Sequence, residues 1–315
     1  MNIGIVSNSA SLYIPLLFNL CNYKNKAGVV LYVGKSADIS QSTKDTTSFC
    51  NAYGVTLTFE NDKQDLYGWQ QLYQPDIVFF AGYGYVVKMD QFEDVKYGVY
   101  NIHFGKLPQF RGPSPVFWQL KKGAKELGIT IHHMTKKVDS GPIVWQYTIP
   151  NQAHFTYDFV NQMFVELQVK GVVEILNIIN MGRKLPENVQ NESNAVYYTK
   201  PGLIDVMINW KEMSADEIVD LIKACNSWNL GATTLINGFE LKILDATVST
   251  ITKSQYVAGT AVVNDNSEFS VVCKNSKLLN INYFKINNCF VPKRFAGLYG
   301  FKTGQLFLNY ADNLR

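Results

Sequence analysis

Two polar side chains two positions apart, Asn101 and His103, close an apolar run. A stretch rich in turn formers follows, Tyr100-Asn-Ile-His-Phe-Gly-Lys-Leu-Pro-Gln-Phe-Arg-Gly-Pro-Ser-Pro115. If residues 99–104 form a strand, its period of two puts both side chains on one face, next to each other at the carboxyl end. An amide and an imidazole then converge on one spot. Asp139, in Lys137-Val-Asp-Ser-Gly-Pro142, follows another predicted strand, on a loop able to reach the same sheet edge. A carboxylate there raises the imidazole pKa and stabilises its protonated form. Together the three supply a donor for a developing oxyanion, a proton shuttle and an orienter. Taken singly, each has a plainer reading. His103 fits a hydrogen-bonded structural histidine, Asn101 a turn residue, and Asp139 a turn former before Ser-Gly-Pro.

A sheet has to position them. The first half of the chain alternates short β-branched runs with helix-compatible stretches, the pattern of βαβ units feeding a parallel sheet. Predicted strands are Asn2 to Ser7, Gly28 to Val33, Val55 to Phe59, Asp76 to Ala81, Val99 to Phe104, Ile129 to Met134 and Ile143 to Ile149. The fourth is apolar almost throughout, as expected of a strand covered on both faces. The fold class that follows is α/β, a doubly wound and mostly parallel sheet, whose ligands bind beyond the carboxyl ends of the strands.

Residues 155–182 carry helical periodicity, and Gly182 to Tyr197 is polar and patternless, as a linker would be. Ser214-Ala-Asp-Glu217 has the capping-box pattern of a helix running to about Cys225. Short strands with turn signals come next: Thr233 to Ile236, Glu240 to Leu244, Ala258 to Val263, Phe269 to Cys273 and Leu278 to Phe284, with turns at Asn237-Gly238 and Asn264-Asp-Asn266. This pattern predicts a small antiparallel barrel or sandwich. The division expected is a catalytic domain over 1–182, a linker over 183–203 and a second domain over 204–315.

Asn-x-His, then Leu-Pro-x-Phe-Arg-Gly-x-x-Pro, then Asp-Ser-Gly 36 residues after the histidine, resembles the signature of formyltransferases that use 10-formyltetrahydrofolate. That family includes methionyl-tRNA formyltransferase, glycinamide ribonucleotide transformylase and sugar-nucleotide N-formyltransferases. Ile208-Asn-Trp210, with Ser227-Trp-Asn-Leu-Gly-Ala232 after it, is similar to the start of the C-terminal domain in the tRNA enzyme and its sugar-modifying relatives.

The resemblance implies a Rossmann-like catalytic domain followed by an open, OB-like barrel, with Asn101, His103 and Asp139 as the catalytic triad. It implies 10-formyltetrahydrofolate as formyl donor, a primary amine as acceptor and no need for a metal. The amine would attack the formyl carbon, Asn101 and protonated His103 would hydrogen-bond the resulting oxyanion, and the amine proton would pass to the departing folate nitrogen through His103 or a water held by Asp139. Folate-facing main chain is expected at Gly82, Tyr83, Gly84, Tyr85, Val86 and Val87, and at Lys136, Lys137 and Val138 before the carboxylate. Pterin rings need flat apolar walls and backbone hydrogen bonds. Leu107, Pro108, Arg111 and Gly112 would form a substrate loop. Gly82-x-Gly84 is not a dinucleotide fingerprint, because the third glycine is missing and the turn follows the fourth strand instead of the first.

The acceptor is less legible. Residues 200–315 hold 12 basic and 10 acidic side chains, no electrostatic footprint for a tRNA. A basic insertion contacts tRNA in the methionyl-tRNA enzymes, whereas the matching Gly34 to Asp45 has two lysines and two aspartates. Asn226-Ser-Trp-Asn-Leu-Gly-Ala232 and Gly105-Lys-Leu-Pro108 also depart from the usual text of that branch. The one basic, aromatic patch, Phe284 to Lys302, suits either nucleic-acid stacking or a solvated barrel edge. These features favour a small amine such as an amino-sugar nucleotide, with methionyl-tRNA as the alternative. A folate hydrolase, with water replacing the amine, and a noncatalytic folate-binding protein are further readings.

Composition sets the outer bounds. With 315 residues, 47% of them apolar, 17% charged and a formal charge of +3, the chain is neither disordered nor a strongly basic polyanion binder. Its five scattered cysteines form no C-x-x-C pair and read as reduced thiols of a cytoplasmic protein. The first residues lack a signal-peptide pattern, and no apolar run reaches the roughly 20 residues needed to span a membrane.

Overall fold

The computed structural model describes residues 1–23, 28–35, 40–62, 64–250, 254–264 and 268–309. Parts of two stretches read above, residues 36–39 of the Gly34 to Asp45 segment and 265–266 of the turn after Val263, lie outside the described residues.

The chain opens with β1 (Asn2–Ser7), α1 (Ala10–Cys21), β2 (Gly28–Val33), α2 (Ser40–Tyr53), β3 (Thr56–Phe59), α3 (Asp65–Tyr73) and β4 (Ile77–Ala81). Next come β5 (Val99–His103), α4 (Pro115–Lys121), β6 (Glu126–His133), β7 (Ile143–Pro150) and α5 (Tyr157–Asn180). The remainder comprises α6 (Leu203–Val206), α7 (Ala215–Cys225), β8 (Ala232–Ile236), β9 (Phe239–Val248), β10 (Ala261–Val263), β11 (Phe269–Val272), β12 (Leu278–Ile286), β13 (Cys289–Pro292) and β14 (Phe307–Leu308). Two compact units result. One comprises Met1–Pro115, Gly128–Ile149 and Gln162–Tyr198, the other Val116–Leu127, Pro150–Asn161 and Thr199–Arg315. Among the described residues no helix is long and apolar enough to cross a membrane.

In the first unit seven strands form one sheet in the order β3-β2-β1-β4-β5-β6-β7. The strands from β3 to β5 pair in parallel, and β6 runs antiparallel to β5. Every residue of β4 is buried, as its unbroken apolar text requires of a strand covered on both faces. Val6, Tyr32, Trp69, Phe80 and Phe92 form a packed cluster on one face. Sheet order reverses between β1 and β4, the place where crevices open beyond the strand ends of doubly wound folds.

The polar stretch read as a linker folds with this unit as far as Tyr198. Asn188 exchanges both backbone hydrogen bonds with Ile143 at 2.9 Å, and Tyr197 bridges Arg111 in parallel. Its polar text reflects side chains that bond to the unit, not a loose tether.

In the second unit the sheet runs β10-β11-β12-β9-β8-β14, with β13 on β12. An antiparallel bridge between Thr260 and Leu306 brings the two edges together, so the sheet curls into a nearly closed antiparallel barrel. Trp210, fully buried, packs on Phe307 and donates from Nε1 to Thr234 Oγ1 at 2.9 Å. The capping box forms as read: Ser214 Oγ accepts from Glu217 N, and Glu217 Oε2 accepts from Ser214 N at 2.7 Å. Strand β9 runs on to Val248, and the short β13 and β14 were not anticipated from the sequence.

Candidate active site

Antiparallel pairing sets Asn101 of β5 opposite His132 of β6 and His103 opposite Thr130. Side chains at paired positions share a face, so these four polar groups project together at the carboxyl end of β5. The loop after β6 brings in Asp139. Asn101 Nδ2 donates to Asp139 Oδ1 at 3.2 Å and lies 3.3 Å from His132 Nε2. Asp139 Oδ2 is 3.6 Å from His103 Nδ1, and Oδ1 is 3.4 Å from His132 Nε2. The structure therefore brings Asn101, His103 and Asp139 together and adds His132, which the sequence reading passed over. The pattern of β6, with polar Thr130 and His132 alternating with buried Ile129 and Ile131, is the signal that marks it.

Hydrogen bonding fixes the ring states. His103 Nε2 sits 2.6 Å from the Phe110 carbonyl, which can only accept, so that nitrogen carries a proton. Nδ1 is then the nitrogen that gains or loses a proton, and it faces the Asp139 carboxylate. His132 Nδ1 is held likewise by the His133 carbonyl at 2.8 Å, and its Nε2 faces both Asn101 Nδ2 and Asp139 Oδ1. The loop reaches His103 this closely because residue 105 is glycine: a Cβ there would stand 2.6 Å from His103 Nε2 and 2.8 Å from the Phe110 carbonyl oxygen.

Burial pulls the His103 pKa down, and the Asp139 charge opposes it only in part. Burial alone would raise the Asp139 carboxyl, but the charges of His103 and His132 together with the Gly112 amide outweigh it and hold the carboxyl well below its ordinary range. Asp139 is thus an ionised carboxylate at neutral pH, next to an imidazole that burial keeps neutral.

Gly112 N donates to Asp139 Oδ2 at 2.8 Å. Its backbone is left-handed, φ +97°, and a Cβ would lie 2.2 Å from the Tyr198 carbonyl oxygen, so only glycine fits. The rest of the expected substrate loop faces inward. Leu107 is buried, and its carbonyl accepts from Gln146; the Pro108 carbonyl accepts from Val196 N. Arg111 is fully buried, its guanidinium bonded to Gln190, Glu192 and Tyr197. Leu107 and Arg111 therefore hold the loop from inside. Neither offers its side chain to a substrate.

The loop after β4 starts one strand away from the triad, since Phe80 pairs with Asn101 and Ala81 with Ile102. Gly82 is left-handed at φ +68°. Tyr83 turns inward, its hydroxyl donating to Glu60 Oε1 at 2.6 Å and its ring edge-on to Tyr32 and Phe80. Gly84 N donates to Asn8 Oδ1, and Val87 packs on the apolar cluster. Val86 is exposed and Tyr85 half-buried. Lys136, Lys137 and Val138 are exposed, with Lys137 Nζ 2.7 Å from Glu192. An open cleft of about 530 Å³ lined by Gln70, Gln74, Asp76 and Lys96 lies instead at the amino end of β4, away from these groups. Burial pushes the Cys50 thiol up to about 11 and those of Cys225 and Cys273 up to about 12, so none is a nucleophile.

With this geometry established, comparison with known proteins defines the class. The family model described as formyl transferase matches residues 2–176, and that of the formyl transferase C-terminal domain matches residues 204–289. The chain belongs to the formyl transferase family. It is 29% identical over 195 residues to a methionyl-tRNA formyltransferase of Syntrophomonas wolfei, covering 62% of each chain. The chain spans less than two thirds of the length of the curated relatives it matches. Among solved structures, the N-formyltransferase of Helicobacter canadensis, in complex with folinic acid and dTDP-3-aminofucose, superposes with a TM-score of 0.65 at 19% identity, over 89% of this chain and 98% of that one. WlaRD, a sugar 3N-formyl transferase determined with dTDP and 5-N-formyl-THF, gives 0.67 at 17% identity over 92% and 98%. At these identities the two structures support the fold alone.

Proposed function

We propose that the protein is an N-formyltransferase that moves the formyl group of 10-formyltetrahydrofolate to a primary amine. The observation that carries this is the convergence of Asn101, His103 and Asp139 at the carboxyl end of β5. Val86, Tyr85 and the main chain around Gly82 and Gly84 would hold the folate on one side, Lys136 to Val138 on the other. The bound folate supplies an activated formyl carbon. Asn101 Nδ2, which keeps one hydrogen on Asp139 Oδ1, would turn the other from His132 Nε2 to the oxygen on which negative charge develops. His103 would accept at Nδ1 the proton shed by the amine, with Asp139 stabilising the imidazolium that results, and would return that proton to the folate nitrogen as its bond to the formyl carbon breaks. Burial of His103 and Asp139 excludes bulk water from that pair and strengthens its interaction.

A small amine such as an amino-sugar nucleotide is the favoured acceptor. In support, several lysines of the second unit are already neutralised: Lys293 by Glu268 at 3.1 Å, Lys121 by Asp205 at 2.9 Å and Lys223 by Asp220 at 3.6 Å. The methionyl-tRNA reading draws on the curated relatives and on exposed Phe290, Phe295 and Tyr299, with Arg294 stacked on Phe295. The test is tetrahydrofolate formation against dTDP-3-aminofucose, simple amines and methionyl-tRNA. A tRNA acceptor gives turnover that falls steeply with salt; a nucleotide sugar gives a shallow dependence. Formate release without any amine would instead indicate a hydrolase.

A further inference from the structure

Gln190 lies between the two stretches matched by the family models and is almost fully buried. Its Nε2 donates to two carbonyls of one turn, Asp139 O at 2.9 Å and Gly141 O at 2.7 Å. Its Oε1 accepts from Arg111 Nε at 3.1 Å and from a terminal guanidinium nitrogen at 2.8 Å. Both donors and both lone pairs of the amide are used. Arg111 is in turn clamped by Glu192 at 2.6 Å and by the Tyr197 hydroxyl at 3.0 Å, and that hydroxyl donates to Val138 O. The turn so held is demanding. Asp139 is left-handed, φ +51°, and Gly141 packs so closely that a Cβ there would stand 1.9 Å from the His133 carbonyl oxygen.

We propose that Gln190 is a positioning residue of the active centre. Through its two hydrogen bonds to the 139–141 turn, braced by buried Arg111, it sets where the Asp139 carboxylate stands relative to Asn101, His103 and His132. The Gly112 amide fixes the carboxylate end of Asp139; Gln190 fixes the main-chain end. The kinetic consequence rests on the formyl-transfer reading, whereas the geometric one does not.

The test uses full-length Gln190→Glu, which keeps an acceptor for Arg111 but loses both donations to the turn, and Gln190→Met, which loses both functions at similar volume. Melting temperature verifies folding. Two quantities are then read: kcat and KM for the acceptor turned over best in the panel above, and the titration of His103 followed by NMR in resting protein. The charged or titratable groups facing His103 are Asp139 and His132. Expected are a kcat about tenfold or more below wild type in both variants with KM within about twofold, since small misplacements of catalytic groups are costly. His103 of Gln190→Met should titrate at lower pH, because the Asp139 charge has moved away. Wild-type kcat together with an unmoved titration, whatever the melting temperature, overturns the proposal. If wild type transfers formyl to no amine, the kinetic arm fails with that reading and the titration still decides. If Gln190→Met does not fold, the same readings on Gln190→Glu decide.

Discussion

The Asp139 carboxylate stands 3.6 Å from Nδ1 of His103, with both side chains almost wholly buried. Water screens the pair little, so the charge on Asp139 offsets part of the burial that weakens the hold of His103 on a proton. Because Nε2 is committed to the Phe110 carbonyl, a proton added to the neutral ring goes to the side facing Asp139.

Asp139→Asn keeps shape and removes charge. Turnover should fall about 10²-fold or more, the scale of losing a proton-transfer partner, while a fluorescence titration gives a tetrahydrofolate Kd within about twofold of wild type. His103→Ala should likewise abolish transfer; turnover retained in it would remove His103 from the mechanism.

Asn101→Ala removes the donor assigned to the developing oxyanion. The expected loss in kcat is about 10²- to 10³-fold with KM nearly constant, since the interaction strengthens in the transition state. A rise in KM at unchanged kcat would assign Asn101 to ground-state binding.

Stability should fall on acidification in two stages. Burial lowers the pKa of His103 and of His133 from the ordinary 6.5, so below that pH the unfolded chain binds protons that the folded one resists. The Asp139 carboxyl is held below its ordinary 3.8, which adds a second loss as pH falls beneath that value. Melting temperature should therefore drop between pH 7 and pH 5, and the drop should shrink in His103→Gln. A melting temperature that rises toward pH 5 would contradict the burial of these rings as neutral groups.

Gly112→Ala should cost about 1–3 kcal/mol of stability from the left-handed backbone, and more from the clash with the Tyr198 carbonyl. It should also lower kcat by displacing the amide that holds Asp139. Chemical denaturation and steady-state assay of the same preparation separate the two effects.

What the sequence disclosed depended on the range of the interaction. Asn101 and His103 are two residues apart on one strand, so strand period and a local motif were enough to pair them. Asp139 was reachable because a predicted strand ends shortly before it. His132 was passed over: the alternation of β6 marks it as a polar position, but its place beside Asn101 depends on the β5–β6 register, which pattern alone does not give. Arg111 was expected at a substrate surface because its partners Gln190 and Glu192 lie about 80 residues away, in a stretch whose polarity reads as linker. Burial of an arginine follows from partners, and partners at that distance are invisible to a local reading. In the second unit the capping box and the longer strands were legible, while β13 and β14, four and two residues long, owe their existence to pairing with β12 and β8.

The most direct measurement is the stoichiometry of tetrahydrofolate and N-formylated amine formed from 10-formyltetrahydrofolate by wild type and by Asp139→Asn, with and without acceptor. A centre built on Asn101, His103 and Asp139 gives the two products one to one, only with the amine present, and about 10²-fold or more slowly in Asp139→Asn. Tetrahydrofolate formed independently of the amine, or at an undiminished rate in Asp139→Asn, would contradict it.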